Sequence, residues 1–282
     1  MRVGVVVAIV LGCASGCTLL SKVDDLHVGP SGAGVSDGGD ANDGSRSGTS
    51  GTSGTSGTSG TSMSSGTSGT SDSGSGGLPR LVQTASASAA TTMTLSSVFA
   101  PTSAGDLVVV AVTIDSNAAA NVVSITDDAP GGSNVYVSAK QRSSDTSCDD
   151  VADIWYAKNV VAGAKTVTVT ASVAVRMDLW VLEAAGLDPT NPLDTGAVTN
   201  SQPASTVVTA PPVMPSTPNA LVISTACSCG QITKLAMQSP FSPTTVQTGE
   251  TTAYLLAKTS GSYGAVWSAS SGTWNASTVA FK

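Results

Sequence analysis

The part of this 282-residue sequence that follows residue 77 predicts an all-β fold, an antiparallel two-sheet β-sandwich of jelly-roll or immunoglobulin-like type. Three observations carry that expectation. The composition there is rich in Val, Thr, Ser and Ala and poor in Glu, Lys and Leu, which suits strands. Its apolar runs are short and are punctuated by Gly, Pro, Asp and Asn. No long segment carries the 3.6-residue period of a helix, so helix should be minor. Every Trp, Tyr and Phe of the chain also lies in this region, which makes it the part able to build a core.

The elements follow in order. Leu107–Ile114 (LVVVAVTI) is a β-branched apolar run between Gly105-Asp106 and Asp115-Ser116-Asn117, as expected of a buried strand. Val122–Thr126 leads into the turn cluster Asp127-Asp128-Ala129-Pro130-Gly131-Gly132, and Val135-Tyr136-Val137 resumes strand character. Asp153–Tyr156 is followed by the turn Val161-Ala162-Gly163. Lys165–Thr170 (KTVTVT) alternates strictly, so one face should be buried and the other wet. Met177–Glu183, Thr206–Thr209, Leu221–Thr225, Ala253–Ala257, Tyr263–Trp267 and Ser277–Phe281 complete a series of roughly ten to twelve short strands, the pattern of a sandwich.

The first 77 residues read differently. Met1-Arg2 is a short positive start, Val3–Leu11 is apolar, and small residues follow, which is the layout of a secretory signal. The run is too short to span a bilayer, which takes roughly 20 apolar residues. Ala14-Ser15-Gly16-Cys17 resembles the lipobox of bacterial lipoproteins. That resemblance implies a signal peptide over 1–16 and a lipidated, N-terminal Cys17. Val10-Leu11-Gly12-Cys13 also fits the pattern but leaves an unusually short signal. Ala14 stands where that family more often has leucine. Thr18, in place of an aspartate after the lipidated cysteine, implies outer-membrane rather than inner-membrane residence.

Residues 17–77 then form an anchor and spacer. Gly-Thr-Ser recurs from Gly48 to Ser62 and again from Gly66 to Ser71, around Met63-Ser64-Ser65. Three residues cannot make a stacking unit with a core, and without proline the triplets are not collagen. Such a segment buries too little apolar surface to offset its ordering entropy and is expected to be disordered. About 50 such residues reach about 35–42 Å, enough to hold residues 78–282 clear of a lipid surface.

Within 78–282, Gly105-Asp106-Leu107-Val108-Val109, Asn134-Val135-Tyr136, Trp155-Tyr156-Ala157-Lys158-Asn159, Gly163 with Thr166-Val167-Thr168-Val169, and Leu179–Glu183 resemble a β-sandwich module that recurs in bacterial surface proteins. These are core and turn residues, covering about half of the domain. The resemblance implies a fold and a surface location, and it carries over no catalytic residue.

Several chemistries are excluded. The single histidine, His27, lies in the spacer, so no Ser-His-Asp or Cys-His arrangement and no histidine-based zinc site can form in the domain. There is no glycine-rich phosphate loop ahead of a helix, no GxSxG and no HExxH. The net charge of −7 and the lack of a Lys/Arg cluster argue against nucleic acid. Carboxylate pairs could still hydrolyse glycosides. However, Asp178 and Glu183 fall on opposite faces of one strand, and Glu250, in a Thr/Gly-rich turn, reads as solvated.

The remaining candidates are binding residues. Asp127, Asp128, Asp149 and Asp150, with Asp145 and Asp153 nearby, supply the oxygen ligands that calcium takes, but no EF-hand spacing; solubilising acidic loops are the plainer reading. Trp155 shares a strand face with Asp153, and Trp180 with Asp178, so these two are the tryptophans expected to be exposed for stacking on sugar rings. Trp267, between Ala265 and Ala269, reads as core. Of Cys148, Cys227 and Cys229, one pair is expected to form a disulfide in an oxidising envelope, Cys148 with one of the other two, leaving one thiol. The resulting expectation is a non-catalytic outer-surface lipoprotein, held to the membrane by its lipid, whose sandwich serves adhesion or carbohydrate or matrix binding. Its partner would be a polysaccharide or a surface protein. A structural envelope component without a small ligand is the alternative, and a carboxylate-based glycan-active enzyme ranks last.

Overall fold

The computed structural model describes residues 77–282 apart from 116, 118 and 246–248. The signal, Cys17 and the Gly-Thr-Ser spacer therefore lie outside the described residues. Among the described residues there are thirteen strands and no helix. They are β1 (Arg80–Val98), β2 (Leu107–Asp115), β3 (Val122–Asp127), β4 (Val137–Ser138), β5 (Ser143–Asp145), β6 (Asp150–Ala157), β7 (Thr166–Ala185), β8 (Leu193–Thr209), β9 (Ala220–Ser228), β10 (Ile232–Leu235), β11 (Ser242–Pro243), β12 (Glu250–Ala257) and β13 (Val266–Phe281).

They form two antiparallel sheets. The first runs β1-β7-β2-β6-β4, with β3 also on β7 and β5 on β6. The second joins β8, β10 and β9 to β13 and continues through β12 to β11. The all-β sandwich expected from composition and punctuation is the architecture found. Strands Leu107–Asp115 and Ala220–Ser228 sit in the middle of their sheets and are buried on both faces almost throughout, which is why they read as unbroken apolar runs rather than as alternating ones.

Each sheet also curls over on itself. β7 is interrupted by exposed Ser172-Val173-Ala174; before them it pairs with the C-terminal part of β1 and with β3, after them with the N-terminal part of β1 and with β2. The two ends of the sheet then face one another, and Val108, Val110, Val112 and Ile114 share a core with Leu95, Ile125, Val167 and Val169. The second sheet encloses Val222, Ala226, Ala276 and Ala280 with Val208, Ile232 and Trp267. Its bend is at Ser270–Gly272, where the turn after β9 crosses β13. A Cβ on Gly272 would lie 2.0 Å from the Gly230 nitrogen, so only glycine fits there.

The two sheets meet through a third core. Leu107, Val109, Ala111, Ile154, Trp180 and Leu182 pack against Leu221, Ile223, Val279 and Phe281, and Tyr156 meets Phe281 edge-to-face with ring centroids 5.3 Å apart. Full burial of each large aliphatic or aromatic side chain contributes about 1.5–3 kcal/mol, so this seam holds the halves together strongly.

The two sheets also repeat one plan. β1, β2, β3, β4, β6 and β7 correspond in order and pairing to β8, β9, β10, β11, β12 and β13. The register corresponds rung by rung: Val109 lies between Tyr156 and Leu182 as Leu221 lies between Leu256 and Phe281, and Thr113 lies between Ala152 and Asp178 as Thr225 lies between Thr252 and Ser277. Sequence identity across these pairs is slight, Ala157-Lys158 and Ala257-Lys258 being among the few matches. Pairing and burial are repeated; residue identity is not.

Candidate functional site

At one end of the seam the apolar rungs give way to polar ones. Beyond Ala111 and Ile223 the inward positions are Thr113 and Asp115 on β2 and Thr225 and Cys227 on β9. Beyond Trp180, β7 presents Asp178 and then Arg176. Beyond Tyr254, β12 presents Thr252 and then Glu250, which corresponds in the repeat to Asp150 of β6. The result is a cleft of about 300 Å³ lined by Asp115, Asp150, Arg176, Gln231, Glu250 and the Cys148–Cys229 disulfide.

The chemistry of its floor is dense. Arg176 Nε lies 3.6 Å from Asp115 Oδ2 and 3.8 Å from Asp178 Oδ2. Thr113 Oγ1 donates to Glu250 Oε2 at 3.2 Å. Asp178 is wholly buried and Glu250 is 3% exposed. Burial first, and then the hydrogen bond to Asp178 and its charge, push the Glu250 carboxyl up to about 10. Glu250 is therefore a neutral acid at neutral pH. Around it Ser143 Oγ donates to Asn275 Oδ1 at 2.7 Å, Ser277 Oγ to Ser143 Oγ at 3.0 Å, and Thr252 Oγ1 to Thr225 Oγ1 at 3.1 Å. These bonds satisfy seam groups whose desolvation would otherwise cost about 1–3 kcal/mol each.

The disulfide joins Cys148, between β5 and β6, to Cys229 at the end of β9, and so ties the first sheet to the second. Among the described residues Cys227 is the remaining thiol. It is buried, with Sγ 3.3 Å from the Val151 carbonyl. Burial, and then the surrounding carboxylates led by Glu250, push its thiol well above the ordinary range, which leaves it a poor nucleophile.

A second acid pair sits at the far end of the first sheet. Glu183, 1% exposed, accepts from the Ser103 amide at 2.7 Å and from Gln83 Nε2 at 2.5 Å, and shares a hydrogen bond with Asp106. Burial, and then Glu183, raise Asp106 to about 6, against the opposing charge of Arg80. Between pH 3.8 and about 6 the folded chain therefore holds a proton that the unfolded chain has lost, so this group makes stability fall as pH rises across that window. Asp106→Asn is expected to flatten the fall. The check is the urea midpoint at pH 4 and pH 7 for both chains; parallel pH dependence would refute it.

The sequence-predicted site residues fare unequally. Trp180 is not a surface platform: it is 1% exposed in the seam, and its Nε1 donates to the Thr245 carbonyl at 2.7 Å. Asp178 beside it is buried too, so an aspartate on the same face marked a polar seam and not solvent. Trp155 is half-buried against the core inside the first sheet, its Nε1 bonded to Asp153 Oδ2 at 2.9 Å. Trp267 is core, as expected. Glu250 opens β12 inside the seam and is not in a solvated turn.

The four calcium candidates belong to two separate turns. Asp127 accepts from the Ala129 and Asn134 amides, Asn134 Nδ2 and Tyr136 Oη, and Asp128 accepts from the Lys165 and Thr166 amides; both tie down the turn after β3. Asp149 is exposed at φ 60° in the turn before β6, and Asp150 lines the cleft. Among the described residues, the close group of three potential metal donors is Asp145, Cys148 and Cys229, and its two sulfurs are spent on the disulfide. The grouping of Thr113, Asp178 and Glu250 escaped the sequence reading. A usable signal was present: single polar residues in otherwise apolar strands, which must find partners once buried. Compared with known proteins, the chain matches no family model, no curated protein and no solved structure.

Proposed function

We propose that this chain is an exported, non-catalytic display protein of the cell surface. In this reading residues 1–16 are the signal, Cys17 carries the lipid, and the spacer to residue 77 holds the β-sandwich away from the outer membrane for adhesion to a matrix or surface partner. The observation that carries the reading is the Cys148–Cys229 disulfide between the two sheets, a bond characteristic of exported chains. The burial of Trp180, Trp267 and Trp274 favours adhesion through broad sheet and loop surfaces over sugar stacking on an aromatic platform. The burial of Asp178 and Glu250 disfavours glycan hydrolysis, which needs two carboxyls about 5–9.5 Å apart flanking an open cleft.

Two measurements test this proposal. Cys17→Ala is expected to move the chain from the membrane to the soluble fraction and to abolish incorporation of labelled fatty acid; unchanged membrane association would refute the anchor. The full chain, screened against arrayed matrix proteins and glycans with calcium and with chelator, is expected to bind selectively. Blank arrays in both conditions would refute adhesion and leave a structural envelope role.

A further inference from the structure

We propose that Thr113 and Glu250 condense to an ester, a covalent clasp between the two sheets. The geometry supplies both reacting groups. Thr113 and Asp178 are directly opposed on β2 and β7, and both face the seam, so their Cβ atoms are about 4.5–5.5 Å apart. Glu250 reaches them from the second sheet, with the Thr113 hydroxyl 3.2 Å from its Oε2. All three are at least 97% buried. Elsewhere in the seam hydroxyls are engaged with neutral acceptors: Thr225 donates to the Thr251 carbonyl and Ser277 to Ser143. Thr113 is directed at a carboxyl.

The burial that keeps Glu250 a neutral acid at physiological pH also makes it the form an alcohol can attack; a carboxylate would not react. In the step, Thr113 Oγ1 bonds to Glu250 Cδ and its hydroxyl proton passes to Glu250 Oε2, the atom it already faces. The tetrahedral centre then collapses. Oε2 leaves as water, taking the acid hydrogen and the proton from Thr113, and Oε1 stays as the ester carbonyl. No oxidant or cofactor is consumed. Well-oriented intramolecular partners reach effective molarities of about 10⁵–10⁸ M, which lowers the barrier to the condensation. A second link beside the disulfide would hold the sheets together even when the disulfide is reduced.

The test is peptide mass spectrometry on the full chain, reduced, alkylated and cut with trypsin. Cleavage after Arg80, Lys140, Lys234 and Lys258 puts Thr113 in 81–140 and Glu250 in 235–258. The expected result is one species with the summed mass of the two peptides less one water, split by hydroxylamine with a hydroxamate left on Glu250. Thr113→Ser is expected to retain the link, and Thr113→Val and Glu250→Ala to abolish it. Both peptides at full mass from the wild-type chain after prolonged incubation, or a link at other residues, would overturn the proposal whether or not the variants fold.

Discussion

Trp180→Ala is expected to lower the unfolding free energy by about 3–5 kcal/mol, the usual cost of removing a large aromatic side chain from a core. Trp180 is 1% exposed, and its ring fills the seam among Ala111, Ile154, Leu182 and Val279. The cavity left behind would open where both sheets contribute atoms, and the Thr245 carbonyl would lose its indole donor. For a domain of this size the loss should lower Tm by on the order of 10 °C. Trp180→Phe keeps much of the volume and is expected to cost clearly less. A ligand-stacking surface tryptophan would behave otherwise, since truncation of an exposed side chain usually changes stability by no more than about 0.5 kcal/mol. A thermal melt and a urea titration of the three chains decide between these roles. A Trp180→Ala chain as stable as wild type would remove Trp180 from the core.

Loss of the Cys148–Cys229 bond is expected to have a similar effect. The two cysteines are 81 residues apart in sequence, and opening a loop of that length releases about 4–5 kcal/mol of denatured-state entropy in the chain-entropy account. The bond also lines the cleft and ties the turn after β5 to the end of β9, so its loss should loosen β5 and that turn before it unfolds the cores. Urea unfolding with and without a dithiol reductant reads the first effect, and Cys148→Ser with Cys229→Ser checks that reduction acts through this bond. Alkylation of the unreduced chain is expected to modify Cys227 only once the chain is unfolded. An unchanged urea midpoint on reduction would show that this bond adds nothing to what otherwise holds the sheets together.

Much of the fold was legible because β2, β6, β7, β9, β12 and the end of β13 carry their burial in their residue types. β-branched and aromatic residues in short runs have few other ways to leave water. The edge strands were not legible. β1 and the first part of β8 are Ser-, Ala- and Thr-rich, and β8 contains Gly196, Asn200 and Pro203, so both resemble loops. Each pairs with only one neighbouring long strand and keeps both faces partly exposed, which removes the alternation that marks a half-buried strand. The internal repeat was hidden for a related reason. Pairing demands a pattern of burial and tolerates exchange of Val for Leu or Asp for Ser, so the topology recurs without the residues.

The sequence by itself determined the fold class, the exclusion of histidine chemistry from residues 78–282, and a disulfide involving Cys148. These follow from composition and residue inventory, which do not depend on how strands are arranged. Tertiary structure alone decided which cysteine is the partner, that Trp180 is core, and that Thr113, Asp178 and Glu250 are buried together in the seam. Those residues come from β2, β7 and β12 and meet only because two curled sheets pack face to face. A strand pattern tells a side chain which face to take; only the packing of the second sheet decides whether that face meets water or another carboxyl.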